Sequence, residues 1–213
     1  MPNWCNNNIT ITGPNKVIDK IEKIAKDEKG ETKGLLNFFR PMPKELEGTT
    51  ADGTKRKKLR KLYGHDDWYG WCVANWSTKW EVNEFYNVDR QEIGDDESQI
   101  SFGFDSAWAP PINAYEYWID ENSNCSIKAT YHEPGCDFMG IWDNGNDICY
   151  EISSFAPKGS KDKAWTHGDG KILDDLYGIS EYQAEWEEQQ KNEDAVKVKE
   201  FVVDKKKMNM EGA

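Results

Sequence analysis

Two short runs hold the residues best equipped for chemistry. NWSTKW (residues 75–80) sets Lys79 between Trp76 and Trp80, and FDSAWAPP (residues 104–111) sets Asp105 beside Trp108 and a proline pair. A lysine and a carboxylate framed by indoles can hold a ligand, because the charges orient polar groups while the rings supply apolar area and cation-attracting faces. The same residues suit a structural role. Asn75, Ser77 and Thr78 can satisfy backbone groups where a helix ends. Asp105 or Ser106 can cap the next helix, and Pro110–Pro111 fits its first turn. On that account Trp76, Trp80 and Trp108 pack against a sheet and Lys79 points outward or lies over a ring; if the strands holding the two junctions are neighbours, Lys79 can pair with Asp105 at one sheet end. The structural account is preferred. A ligand or partner surface made of Trp76, Lys79, Trp80, Asp105 and Trp108 is the alternative, and catalysis ranks last.

Other chemical candidates are weaker. His65-Asp66-Asp67 has general-base and metal-ligand residue types, but chain neighbours rarely converge on one ion, and the same residues can start a helix. His132-Glu133 falls at a turn, and His167-Gly168-Asp169 lies in a Gly/Lys/Ser-rich run. No GxSxG, HExxH, Walker-type or GxGxxG pattern occurs. The five cysteines, Cys5, Cys72, Cys125, Cys136 and Cys149, include no CxxC. They are expected to be reduced and mostly buried, with Cys136 and Cys149 the one pair placed to bond across a hairpin. No metal and no cofactor is expected, and no catalytic set is legible.

Charge is distributed unevenly. The net charge is −12 over 213 residues, and residues 81–151 contain only two basic side chains, Arg90 and Lys128, among many acids. By contrast TKRKKLRKLY (54–63) carries six bases: Lys55, Arg56, Lys57, Lys58, Arg60 and Lys61. An acidic body repels phosphates and suits basic partners or mimicry of nucleic acid, when it is not simply a solvated surface. Nucleic-acid contact is therefore expected only through the basic arm. Aromatics at 13%, with ten tryptophans, supply core area in an otherwise polar chain. No apolar run approaches the roughly 20 residues of a membrane helix, and no basic-then-apolar signal follows Met1. A cytoplasmic chain without membrane contact is the expectation.

The elements that must position these residues are legible from periodicity. NWCNNNITITG predicts a strand, with Ile9 and Ile11 alternating with Thr10 and Thr12 until Gly13-Pro14. A helix follows, carrying Val17, Ile18, Ile21, Ile24 and Ala25 on one face and closing at Gly30. LLNFFRPMP (35–43) crosses the core, and residues 44–64 read as an exposed basic excursion. Residues 65–75 predict a short helix with Trp68, Trp71, Cys72 and Trp76 as a buried stripe and Asp66 and Asp67 in its first turn. Strands are predicted at 81–89 and 99–105 around IGDDES, then a helix from Pro110 to about Asn122 with Ile112, Tyr115 and Ile119 inward. Further strands follow at 126–132, 138–142 and 148–152, with an Asn-Gly turn inside DNGND. Two helices on one face of an antiparallel sheet make an α+β, ferredoxin-like split βαβ sandwich. That domain spans residues 1–153, with the insertion at 44–64. A linker covers 154–170, and a helical extension with a frayed tail covers 171–213.

Four quoted runs, MPNWCNN, WCVANWSTKW, FDSAWAPP and YHEPGCDFMGIW, occur in this order and together resemble the YubB-like family of bacteriophage and plasmid proteins with a ferredoxin-like domain. Family members carry a start like MPNWC, a run like NWGTKW, a TAWSPP-type run and a Y-E-G-F-G pattern. Ser77 replaces the usual glycine here, and Ser106 and Ala109 differ mildly from the second motif. The resemblance covers roughly residues 1–152 and implies the fold and a mobile-element origin, but no activity and no catalytic residues. Taken with the lack of a catalytic set and the acidic face with an aromatic rim, it points to a phage accessory protein that binds a host protein, blunting a defence or redirecting host machinery. Two other functions stay open: a small-molecule binder or modest enzyme at the tryptophan-rich junctions, and nucleic-acid binding through the arm.

Overall fold

The computed structural model describes residues 3–154 and 168–211, with side chains through residue 197. The chain divides into two units, Met1–Tyr150 and Glu151–Ala213.

The first unit is a mixed α+β body. Strand β1 (Trp4–Pro14) alternates strictly: Cys5, Asn7, Ile9 and Ile11 are buried on one face, while Asn6, Asn8, Thr10 and Thr12 lie on the other. It pairs antiparallel with β3 (Glu97–Ala107) on one side and β4 (Ser126–Glu133) on the other. Strand β2 (Tyr86–Gly94) extends the sheet beyond β3, and β5 (Phe138–Asp143) and β6 (Asn146–Glu151) extend it beyond β4. The result is a six-stranded sheet in the order β2-β3-β1-β4-β5-β6. Asn144 and Gly145 both take positive φ, 47° and 93°, as the two-residue hairpin between β5 and β6 requires.

The helices bury their apolar sides against one face of this sheet. Helix α1 (Asn15–Ala25) contributes Ile18, Ile21 and Ile24, and α5 (Ile112–Glu121) contributes Ala114, Tyr115 and Trp118. They join Ile9, Ile11, Phe102, Phe104 and Tyr131 in a single core cluster. Each fully buried Ile adds about 1.5–3 kcal/mol of transfer free energy. Between α1 and β2 run α2 (Leu35–Phe39), α3 (Lys57–Tyr63) and α4 (Trp68–Trp76). Phe39 of α2 packs on Trp118 at 5.0 Å and meets Tyr115 edge-on at 6.0 Å.

Several sequence expectations shift. Helix α1 stops at Ala25, before Gly30, because the Asp27 carboxylate accepts the backbone N–H groups of Glu31 and Thr32. Hydrogen bonds from Thr32, then Glu31, hold that carboxyl down at about 2. The segment 44–64 is not wholly exposed. Leu46 is fully buried, and Leu59 and Tyr63 of α3 pack against the core, apolar contacts that the surrounding charge conceals. The strand expected at 81–89 instead begins at Tyr86, since residues 81–85 are committed elsewhere: Glu81 binds the start of α2. Cys136 and Cys149 are free and exposed, not bonded to each other, and Cys125 is only partly buried.

The second unit contains α6 (Gly168–Tyr177) and α7 (Ile179–Glu211), separated by Gly178. The Asp174 carboxylate accepts both the N–H and the hydroxyl of Ser180 at 2.7 Å, fixing the start of α7. Most of the expected linker, residues 155–167 with His167, lies outside the described residues, and α6 already begins at Gly168. Helix α7 runs to Glu211, past the residue-203 end expected for the helical region. Among the described residues no helix is long and apolar enough to cross a membrane.

Candidate functional site

The NWSTKW run forms the end of α4 and the turn after it. Asp67 starts the helix by accepting the N–H of Gly70 at 2.9 Å, and Trp71, Cys72 and Trp76 are buried along it. Ser77 ends it with a left-handed φ of 69°, the conformation that glycine favours after a helix, and its N–H closes on the Val73 carbonyl. The turn is tied to the junction of β3 and α5. The Thr78 hydroxyl donates to the Ala107 carbonyl at 2.8 Å, and Ser77 Oγ accepts the N–H of Asn113 at 3.2 Å. At that junction Trp108 also has positive φ, 70°, and donates its N–H to the Asn3 carbonyl. Ser106 Oγ closes the turn by donating to the Ala109 carbonyl.

These two turns bring Lys79, Trp80 and Trp108 together. Lys79 Nζ lies 3.8 Å from the centroid of the Trp80 ring and 4.0 Å from that of Trp108. Each such contact contributes roughly 0.5–1 kcal/mol at an exposed site. Trp4, from the start of β1, adds a third indole at 5.8 Å from Trp80. The three rings remain exposed: Trp4 by 51%, Trp108 by 42% and Trp80 by 39%. Beside them, on the sheet face that carries Trp4, runs a polar network. Asn6 Nδ2 donates to the Tyr86 hydroxyl at 2.5 Å and to Asp105 Oδ1 at 3.3 Å, and Asn8 donates to Asn6 Oδ1 at 3.2 Å.

The network has a backbone requirement. The Tyr86 ring lies against Gly103, where an added Cβ would fall 2.0 Å from Tyr86 Cε2. Gly103→Ala is therefore expected to displace Tyr86 and to cost about 1–2 kcal/mol in urea unfolding. In a Tyr86→Ala background most of that cost should vanish; a full cost there would mean the ring is not the obstacle.

The structure separates the five residues singled out in the sequence. Lys79, Trp80 and Trp108 form one surface. Trp76 is not part of it: the ring is buried, meets Trp71 edge-on at 5.6 Å, and donates Nε1–H to the Arg40 carbonyl at 2.9 Å. Asp105 joins Asn6 and Tyr86, and among the described residues no ion pair links it to Lys79. Trp80 and Trp108 are corrected from interior to surface: at these turns, where Ser77 and Trp108 take positive φ, Thr78 and Ala107 occupy the buried positions and the two indoles are left outside. Trp4 went unnoticed in the sequence. Its parity with Asn6 and Asn8, opposite to Cys5 and Ile9, was the available signal.

No family model matches this chain, and no curated protein does. Among solved structures, the crystal structure of a protein api92 from Yersinia pseudotuberculosis, described under DUF1281, is similar over 71% of this chain and 98% of that one. Its identity is 10% and its TM-score 0.38. A likeness that slight carries no functional argument.

The remaining chemical groups are occupied structurally. Burial pushes the thiols of Cys5 and Cys72 up to about 12, so neither forms a nucleophilic thiolate at neutral pH. Of the His65-Asp66-Asp67 run, Asp67 caps α4 and Asp66 pairs with Arg60 at 3.4 Å. Burial holds His132 below the ordinary histidine range. Among the described residues no three His, Cys, Asp or Glu side chains gather as metal ligands.

Glu81, one residue past NWSTKW, was not singled out by the sequence. Its carboxylate accepts the N–H groups of Leu36 (2.6 Å), Asn37 (2.8 Å) and Val82 (2.9 Å) and the Asn37 side-chain amide (2.7 Å). Burial pushes this carboxyl above its ordinary range, against the pull of those donors toward the ionised form. The contact locks the chain just after Trp80 onto the start of α2.

Proposed function

We propose that this is a YubB-like phage accessory protein that acts in the host cytoplasm by binding a host protein, with Trp4, Lys79, Trp80 and Trp108 as the contact surface. The observation that carries the reading is the gathering of three indoles, each more than a third exposed: Lys79 lies over Trp80 and Trp108, and Trp4 lies beside Trp80. The ring and cation contacts among them are each worth about 1 kcal/mol or less, and they leave a contiguous apolar area open to water of the kind that tryptophan anchors supply at protein interfaces. For the fold we propose a ferredoxin-like split βαβ sandwich, extended by β5 and β6. The order β2-β3-β1-β4, with α1 and α5 contributing to one core, supports it.

The test compares affinity capture by the native chain with capture by a Trp80→Ser/Trp108→Ser variant of equal thermal stability. The native chain is expected to retain one stoichiometric protein and the variant to lose at least about tenfold in affinity, equivalent to ~1.4 kcal/mol. Equal capture by both proteins would remove the surface from the proposal.

A further inference from the structure

We infer that α3 and the residues leading into it form a docking face for the phosphate backbone of nucleic acid, made of Lys55 before the helix and Lys57, Lys58 and Lys61 on it. This is independent of the tryptophan surface. Of the six bases in the run, two serve the fold. The Arg56 guanidinium donates to the carbonyls of Thr50 (3.2 Å), Thr54 (3.4 Å) and Asp66 (3.5 Å) and pairs with Asp52 at 3.4 Å. Arg60 pairs with Asp66 at 3.4 Å. These contacts hold α3 in place. The other four bases, all lysines, are exposed, and among the described residues none lies within 4.0 Å of a carboxylate; Lys58 acts on Glu45 only at longer range.

Their placement works against the helix. Lys57 and Lys58 occupy the first turn of α3, which contains no acid, so neither lysine has a carboxylate on its own turn to neutralise it. Stability alone would put acids there. An arriving polyanion supplies the counter-charge that these four lysines lack among the described residues, which gives the arrangement a physical use. The acids nearest the run do not forbid it, because Asp52 and Asp66 are taken up by Arg56 and Arg60, and charges beyond about 8 Å are largely screened at physiological salt. Lipid fits worse: Leu59 and Tyr63 turn into the core, leaving Leu62 as the exposed apolar residue of α3, with no face to enter a bilayer. A protein partner fits worse as well, since the face offers no buried-ring anchor, whereas lysines are adequate point contacts for phosphate.

The test is fluorescence anisotropy of the full chain with a labelled duplex of about 20 base pairs, between about 50 and 200 mM KCl. Binding independent of base sequence is expected, with a log–log salt slope of about −3 to −4, from four lysines at ~0.9 each. The variant Lys55→Ala/Lys57→Ala/Lys58→Ala/Lys61→Ala should lose at least tenfold in affinity while melting no lower than the native chain. The milder Lys57→Gln/Lys61→Gln variant should flatten the slope by about 2. No binding at the lowest salt overturns the inference. So does equal binding by the four-alanine variant, or stronger binding to phosphatidylserine vesicles than to the duplex.

Discussion

Trp76→Ala is expected to destabilise the protein by about 3–5 kcal/mol, while Trp80→Ala, four residues away, should cost about 1 kcal/mol or less. The difference follows from surroundings, since the residue type is the same. Trp76 is 2% exposed, packed edge-on against Trp71, and its indole N–H satisfies the Arg40 carbonyl. Its removal leaves a cavity and an unpaired backbone acceptor. The Trp80 ring is 39% exposed and gives up its contacts with Lys79 and Trp4 at a position that water reaches. Urea unfolding of both variants decides the matter. Similar losses would mean that the two rings share one structural role, and that the surface proposed for binding is scaffold after all.

Glu81→Ala is expected to cost about 2–3 kcal/mol. Four hydrogen bonds end on this carboxylate, and three of their donors are backbone N–H groups, two of them opening α2. Those donors have no intrahelical partners, so the substitution leaves them unsatisfied in a half-buried place. The position is also sterically matched: a Cβ on Gly34 would come within 2.4 Å of Glu81 Cγ. Glu81→Gln keeps the shape but turns an amide N–H toward other N–H groups, and should recover only part of the loss. The readout is the urea midpoint at constant slope. A loss below about 0.5 kcal/mol for the alanine variant would show that the helix start is held by other means. Loosening here should also reduce partner capture through Trp80, because Glu81 anchors the chain immediately beyond that ring.

Both expectations turn on information that periodicity does not contain. Local pattern was enough wherever one face of an element is simply buried. Alternation marked β1, the apolar face marked α1, and the Asn-Gly turn marked the hairpin of β5 and β6, because side-chain direction has period 2 in a strand and near 3.6 in a helix. Pattern misled where a single long-range bond overrides it. Residues 81–85 look like strand, yet Glu81 is taken up by a helix start more than forty positions earlier in the chain. The apolar residues Leu46, Leu59 and Tyr63 vanish within a basic stretch when only composition is weighed.

The candidate site divides in the same way. By itself the sequence determined that Trp76, Lys79 and Trp80 sit where a helix ends, that Asp105 and Trp108 sit where a strand gives way to a helix, that the chain is an acidic body with one basic arm, and that β1 carries an apolar and a polar face. Tertiary structure alone decided which indoles are core and which are surface, that Trp4 joins Lys79, Trp80 and Trp108, and that Asp105 turns to Asn6 and Tyr86 instead of Lys79. The reason is physical: burial and partner choice at a junction depend on turn dihedrals such as those of Ser77 and Trp108, and on strands distant in sequence. A tryptophan reads identically in the chain whether its neighbours in space are the core or water.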